Sequence, residues 1–282
     1  MELIFAAAMC SVLVSILLKF CKANGFDALQ MIAWNYAVAS ILSFFWFKPD
    51  LAHITLSDTP WWLIVVLGII LPSIFLALTK SLQTAGILKT EIAQRLSVVL
   101  SLLAAYLLFQ EQFNLFKILG VMLGIGAVLC LLFSQATTSK QGQKGNGSAY
   151  LLSVWGGYAL IDILLKYTTN LGLQFPVTLN LMFGCSFIFS MLYLVVTQTG
   201  WKLQNVWAGF ALGCLNFANI ALYVNAHMLF KDSPAVVFAG MNILVVLFGV
   251  VAGLLIFKEK FKILTALSLI FGLIGVICLA LA

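Results

Sequence analysis

Ten runs of mostly apolar residues follow one another along the chain, and this feature limits the fold more than any other. They fall at residues 2–21, 28–47, 60–80, 87–109, 113–133, 149–169, 174–197, 204–228, 234–257 and 261–281. A run of about 20 residues, rising ~1.5 Å per residue as a helix, crosses the ~30 Å hydrocarbon core of a bilayer. Lipid offers no partners to backbone N–H and C=O groups, so each run is expected to be a helix. Charged residues make up 9% of the chain, where a soluble domain carries roughly 25%. Water cannot solvate such a surface. The fold class expected is an all-α membrane protein with ten transmembrane helices.

Proline and polarity punctuate the runs. Thr59-Pro60 and Ser233-Pro234 set a capping oxygen ahead of a proline and mark two helix starts. Pro72, inside the third run, removes one backbone hydrogen bond and is expected to kink the helix. The stretch "SQATTSKQGQKGNGSA" (Ser134–Ala149) has no apolar periodicity and reads as a flexible linker. It divides the chain into a first five-helix repeat (1–133), a linker (134–148) and a second five-helix repeat (149–282).

The halves resemble each other. "LLFQEQFNLFKILGVMLGIGAVLC" (Leu107–Cys130) parallels "LLIFKEKFKILTALSLIFGLIGVIC" (Leu254–Cys278), pairing Glu111 with Glu259 and Gly124 with Gly272 at an offset of 148. Two lysines, Lys19 in "SILLKF" and Lys166 in "DILLKY", pair at an offset of 147. An odd number of helices per half means that the second half enters the membrane in the opposite sense. Inverted repeats are typical of transporters, which hold substrate near the midplane between the halves.

On these features the whole chain resembles the drug/metabolite transporter superfamily, in its ten-helix EamA-like branch. The resemblance rests on the five-plus-five layout, on Glu111 and Glu259, on the Gly-rich fifth and tenth helices, and on "WGGYALIDILLK" (Trp155–Lys166). No Trp-Gly pair precedes Lys19, and Val98 and Val246 stand where a proline is often found in helices four and nine. What the resemblance implies is carrier-type transport of small metabolites through a cavity formed by helices one to four and six to nine, with five and ten at the periphery. It also implies termini in the cytoplasm, whereas ten of the fourteen lysines would then lie outside, the reverse of the positive-inside rule. The location expected is the bacterial inner (plasma) membrane.

Polar residues inside the runs supply the candidate site. Trp155, Tyr158, Asp162 and Lys166 are spaced to share one face of helix six. Asn216, Asn219, Tyr223 and His227 repeat the same register in helix eight, and Ser11, Ser15 and Lys19 match it in helix one. A polar stripe on a membrane helix is expected to face the bundle interior or a water-filled cavity. Helix four adds Glu91, Gln94 and Arg95, with Gln94 matching Asn242 in the repeat; Glu91 and Arg95 are expected to pair. Trp34, Asn35 and Tyr36 complete the candidate set from helix two.

Each residue has a plainer reading. Lys19 can snorkel to headgroups, the Asp162–Lys166 and Glu91–Arg95 pairs can be structural, and Asn216 and Asn219 can hold helices together. The spacings Gly120/Gly124, Gly209/Gly213 and Gly249/Gly253 mark close helix packing.

Several chemistries are excluded. The six cysteines lack CxxC spacing, His53 and His227 cannot form HExxH, and neither "GQKGNGS" nor "GVMLGIG" makes a phosphate loop. No enzyme, cofactor, metal, ATP-driven step or nucleic-acid partner is expected. The reading is a secondary carrier alternating between two five-helix bundles, as a monomer or homodimer. Lys19, Lys166 and Arg95 against Glu91 and Asp162 favour a zwitterion or small carboxylate, such as an amino acid. The coupling ion expected is a proton, on Asp162 first, then Glu91, then His227. The alternatives are an organic cation held by Trp34, Tyr36, Trp155 and Tyr158, and a lipid-linked flippase subunit or non-transporting scaffold.

Overall fold

A computed structural model describes residues 1–281 except His53, 56–58, 110–113, 140–145, Lys231 and Ser233. Glu111 and the Ser233 cap therefore lie outside the described residues. The elements are α1 (Glu2–Ala23), α2 (Ala28–Phe47), α3 (Trp61–Thr84), α4 (Ile87–Arg95), α5 (Ser97–Phe109), α6 (Leu115–Ser139) and α7 (Gly147–Asn170). Then follow α8 (Phe175–Val196), α9 (Leu203–Leu229), α10 (Pro234–Val251), a π-helical turn (Ala252–Ile256) and α11 (Ile263–Ala280). Counting α4 with α5, and α10 with the π turn, ten spans are long and apolar enough to cross a membrane. Large apolar side chains cover the outside, among them Phe45 at 70% and Leu107 at 73% exposure. A soluble protein does not present such a surface.

Local chemistry sets several boundaries. Asp27 accepts the Gln30 N–H at 2.8 Å and caps α2. Pro60 is the N-cap of α3, so the side-chain cap expected from Thr59 is not formed. The helix then runs unbroken through Pro72. The linker expected from Ser134 starts later, because α6 continues to Ser139. Ser134 shares a 2.7 Å hydrogen bond with Thr265, and Lys89 Nζ donates to Gln135 Oε1 at 2.8 Å. Both polar side chains find partners inside the bundle, so they do not end the helix.

The two halves of the chain interleave. α1 packs on α9 and α10, α2 on α8 and α9, α3 on α7 and α8, and α6 on α11. These contacts have counterparts with the halves exchanged: α1 on α9 is matched by α7 on α3, and α1 on α10 by α7 on α4 and α5. One buried cluster fills the space among α1, α2, α3, α8, α9 and α10; another joins α4 and α5 to α6 and α11.

Small residues allow this closeness. A Cβ on Gly209 would lie 2.7 Å from the Met31 carbonyl oxygen, and one on Gly213 2.9 Å from that of Asn35. Across the α6–α11 contact, a Cβ on Gly120 would sit 3.0 Å from the Gly275 oxygen, and Ser268 donates to the Ala127 oxygen at 2.7 Å.

Candidate functional site

The fourth span breaks in its middle. Leu96 separates α4 from α5, although neither glycine nor proline stands there. The Leu96 carbonyl accepts the Val99 N–H at 3.1 Å, in a tightened turn, and the Trp155 indole N–H at 2.9 Å. Irregular backbone at membrane depth is tolerated where protein or a water-filled cavity satisfies it. Here a side chain from the opposite half does so.

The break borders a cavity of about 410 Å³. Gln94, Arg95, Ser97 and Val98 face it from the two sides of Leu96. The α7 stripe adds Tyr158 and Asp162, and the α9 stripe adds Asn216, Asn219 and Tyr223. Asn242, Tyr36, Ser11 and Ser15 complete the polar wall. Among the described residues, every span contributes to the lining except α6 and α11, the peripheral pair that the resemblance implied.

Hydrogen bonds hold part of this wall and leave part open. Arg95 Nη2 donates to Ser11 Oγ at 2.6 Å, and Ser101 Oγ to Asp162 Oδ2 at 3.1 Å. Asn216 Nδ2 donates to Asn35 Oδ1 at 3.2 Å. Arg95 Nε and Asn219 Oδ1 are buried without a hydrogen-bond partner among the described residues. Both residues line the cavity, and a buried polar atom left unpaired costs stability. Leu71, Phe75, Met182 and Phe183 add an apolar part to the lining.

Seven candidates lie elsewhere. Lys19 is a turn beyond Ser15 and forms an ion pair with Glu259. Lys166 is a turn beyond Asp162, past Leu165, where the α7 lining ends. The Glu91–Arg95 pair is not formed: Glu91 is 1% exposed, its oxygens have no hydrogen-bond partner among the described residues, and its stem packs on Gly249 of α10. Arg95 and the Ser15 hydroxyl act on it electrostatically. Trp34 packs on Gly209 and Phe187 at the α2–α9 contact, Asn35 is fully buried behind Asn216, and Trp155 is held at Leu96. His227 stands edge-on to Tyr223, with ring centres 4.6 Å apart.

The serines of α1 were on the expected polar stripe with Lys19, and they reach the lining where Lys19 does not. The sequence reading missed two features, the apolar wall and the partners of Glu259. The apolar wall carried no signal, because every span is apolar. Glu259 was visible as a repeated residue, without any sign of its partners.

Residues 2–133 match the EamA-like transporter family. An uncharacterized protein of Haemophilus influenzae is 40% identical over 288 residues, which cover 99% of this chain and 97% of that protein. With ten spans around a polar cavity, the chain belongs to the EamA-like transporter family, a family of membrane transporters of small molecules.

Proposed function

We propose that this protein is a secondary carrier of a zwitterionic metabolite, an amino acid or a close relative, working by alternating access. The observation that carries the reading is the charge of the lining. Among the described residues it holds one cation, Arg95, and one carboxylate, Asp162, amid amides and hydroxyls. Lys19, Lys166 and Glu91 lie outside that lining, so the excess positive charge expected from the sequence falls away. A balanced pair suits a solute that carries both charges: its carboxylate on Arg95 and its ammonium on Asp162. The apolar wall would take an uncharged side chain.

The two halves would act as inverted repeats, and a proton on Asp162 would couple transport to a gradient. The bacterial relative supports an inner-membrane location. The organic-cation reading is weaker, since two of its four aromatic residues, Trp34 and Trp155, are absent from the lining.

Thermal shift on purified protein tests the substrate class, because a ligand that binds the folded state alone raises its melting temperature. Neutral amino acids with apolar side chains should stabilise the protein, and their amides or N-acetyl derivatives should not. Stabilisation by quaternary ammonium compounds alone would favour the cation reading.

A further inference from the structure

Glu259 lies in the connection between the π turn and α11, away from the cavity lining. Its carboxylate takes the Lys19 ammonium from α1 and the backbone N–H groups of Ile87, at 2.7 Å, and Leu88, at 3.1 Å. Those N–H groups open α4, where the first turn of a helix has donors without intrahelical partners and the positive end of its dipole. The Lys19 ammonium also stands 4.2 Å from the centre of the Phe257 ring.

The site is shaped for this carboxylate. Gly86, at φ +95°, leaves room that a Cβ would take, 2.6 Å from the Glu259 carboxyl carbon and oxygens. A Cβ on Gly253 would come within 3.1 Å of Oε2. The side chains of Lys19 and Glu259 are 15% and 16% exposed.

Position along the spans gives the junction its meaning. It lies at the end of the bundle where α1 passes to α2. The cavity runs the other way: α1 lines it with Ser11 and Ser15 but not with Lys19, α10 with Phe238 and Asn242 near its start, and α8 from its first residue, Phe175. Asp162, toward the end where α7 passes to α8, is exposed. The cavity therefore faces the α7–α8 end, and the junction closes the α1–α2 end. Lys19 and the start of α4 belong to the first half of the chain and Glu259 to the second. A movement of one half against the other that opened the α1–α2 end would separate them.

Resting on the carrier reading above, we infer that the Lys19–Glu259–α4 junction is a gate, made when the cavity faces the α7–α8 end and broken when it faces the other. A contact made in one state alone biases the equilibrium toward that state by its own strength.

The test uses Val98→Cys, a cavity-lining position, labelled with a membrane-impermeant maleimide from each face of sealed, oriented vesicles, against the protein with its six native cysteines. Labelling should come chiefly from the α7–α8 face. Adding Lys19→Met, which leaves the α4 N–H groups paired, or Glu259→Gln should raise labelling from the α1–α2 face about tenfold, as loss of a one-state contact requires. Unchanged labelling in folded variants would make the junction a fixed anchor of α4 and overturn the gate. Loss of folded protein in both variants would also overturn it. Labelling of Val98→Cys from neither face would instead remove the hydrated cavity, and with it the carrier reading.

Discussion

Trp155 of the second half donates its indole N–H to the carbonyl oxygen of Leu96 in the first, at 2.9 Å, where the fourth span breaks. This bond fixes the backbone between Arg95 and Ser97, both of which face the cavity. Trp155→Phe keeps the ring and removes the donor. Leu96 keeps its bond from Val99, so the loss should be near the value of one net hydrogen bond, about 1 kcal/mol. Chemical or thermal unfolding of the two proteins measures it. A variant as stable as the parent would mean that the break holds without the indole.

The α2–α9 contact gives a second expectation. Gly213→Val would press on the Asn35 carbonyl and on Val38, whose Cβ would be 2.7 Å from the new Cβ. Overpacking of this kind costs about 1–3 kcal/mol. It would also move Asn216, one turn on, whose bond to Asn35 is 3.2 Å long. Both melting temperature and ligand affinity should fall. Gly156→Ala is the control, since nothing lies within 4 Å of its added Cβ; its melting temperature should stay within the error of the parent's.

Glu91 supplies a third. Its carboxyl is buried with no hydrogen-bond partner among the described residues. Burial of a charge without a well-formed hydrogen bond costs stability even with Arg95 and the Ser15 hydroxyl nearby, and an isosteric neutral group costs less. Glu91→Gln should therefore melt at or above the parent temperature and still bind substrate, because Glu91 does not line the cavity. A clear loss of stability would show that Glu91 has a partner in the membrane-embedded protein.

Asp162 lines the cavity and is bonded to Ser101, where a proton and a substrate ammonium would compete for one carboxylate. Asp162→Asn, which removes the carboxylate that takes the ammonium, should bind substrate more weakly, and the exchange that remains should not become accumulation when a pH difference is imposed. Accumulation by the variant at the parent level would place coupling elsewhere. Indifference of the parent protein to pH would make it a facilitator or exchanger.

The sequence made the spans legible because apolar length is a local property, and the ten runs coincide with the ten spans to within a few residues. It also made the α7 and α9 stripes legible. A helix fixes which residues share a face, so Tyr158 with Asp162, and Asn216 with Asn219 and Tyr223, reach the cavity together. Periodicity fixes the angle about a helix and not the depth along it. Lys19 shares such a face yet lies one turn beyond the last lining residue of α1, and Lys166 follows directly on Leu165, the last lining residue of α7. Glu259 could not be read as a helix cap and ion partner, because Ile87 and Lys19 stand 172 and 240 positions away. The break at Leu96 was hidden too, since the carbonyl that it frees is met by a tryptophan 59 positions on.

The central claim is that Arg95 and Asp162 hold a zwitterion in a carrier cavity, and counterflow tests it most directly. Proteoliposomes loaded with an unlabelled neutral amino acid that stabilises the protein would be placed in a trace of the labelled compound. Parent protein should draw label inward faster than protein-free liposomes, and Arg95→Met, folded to the same melting temperature, should reduce that flux to the protein-free level. Equal flux with parent and Arg95→Met, or no flux above protein-free liposomes for any stabilising amino acid, would contradict the account.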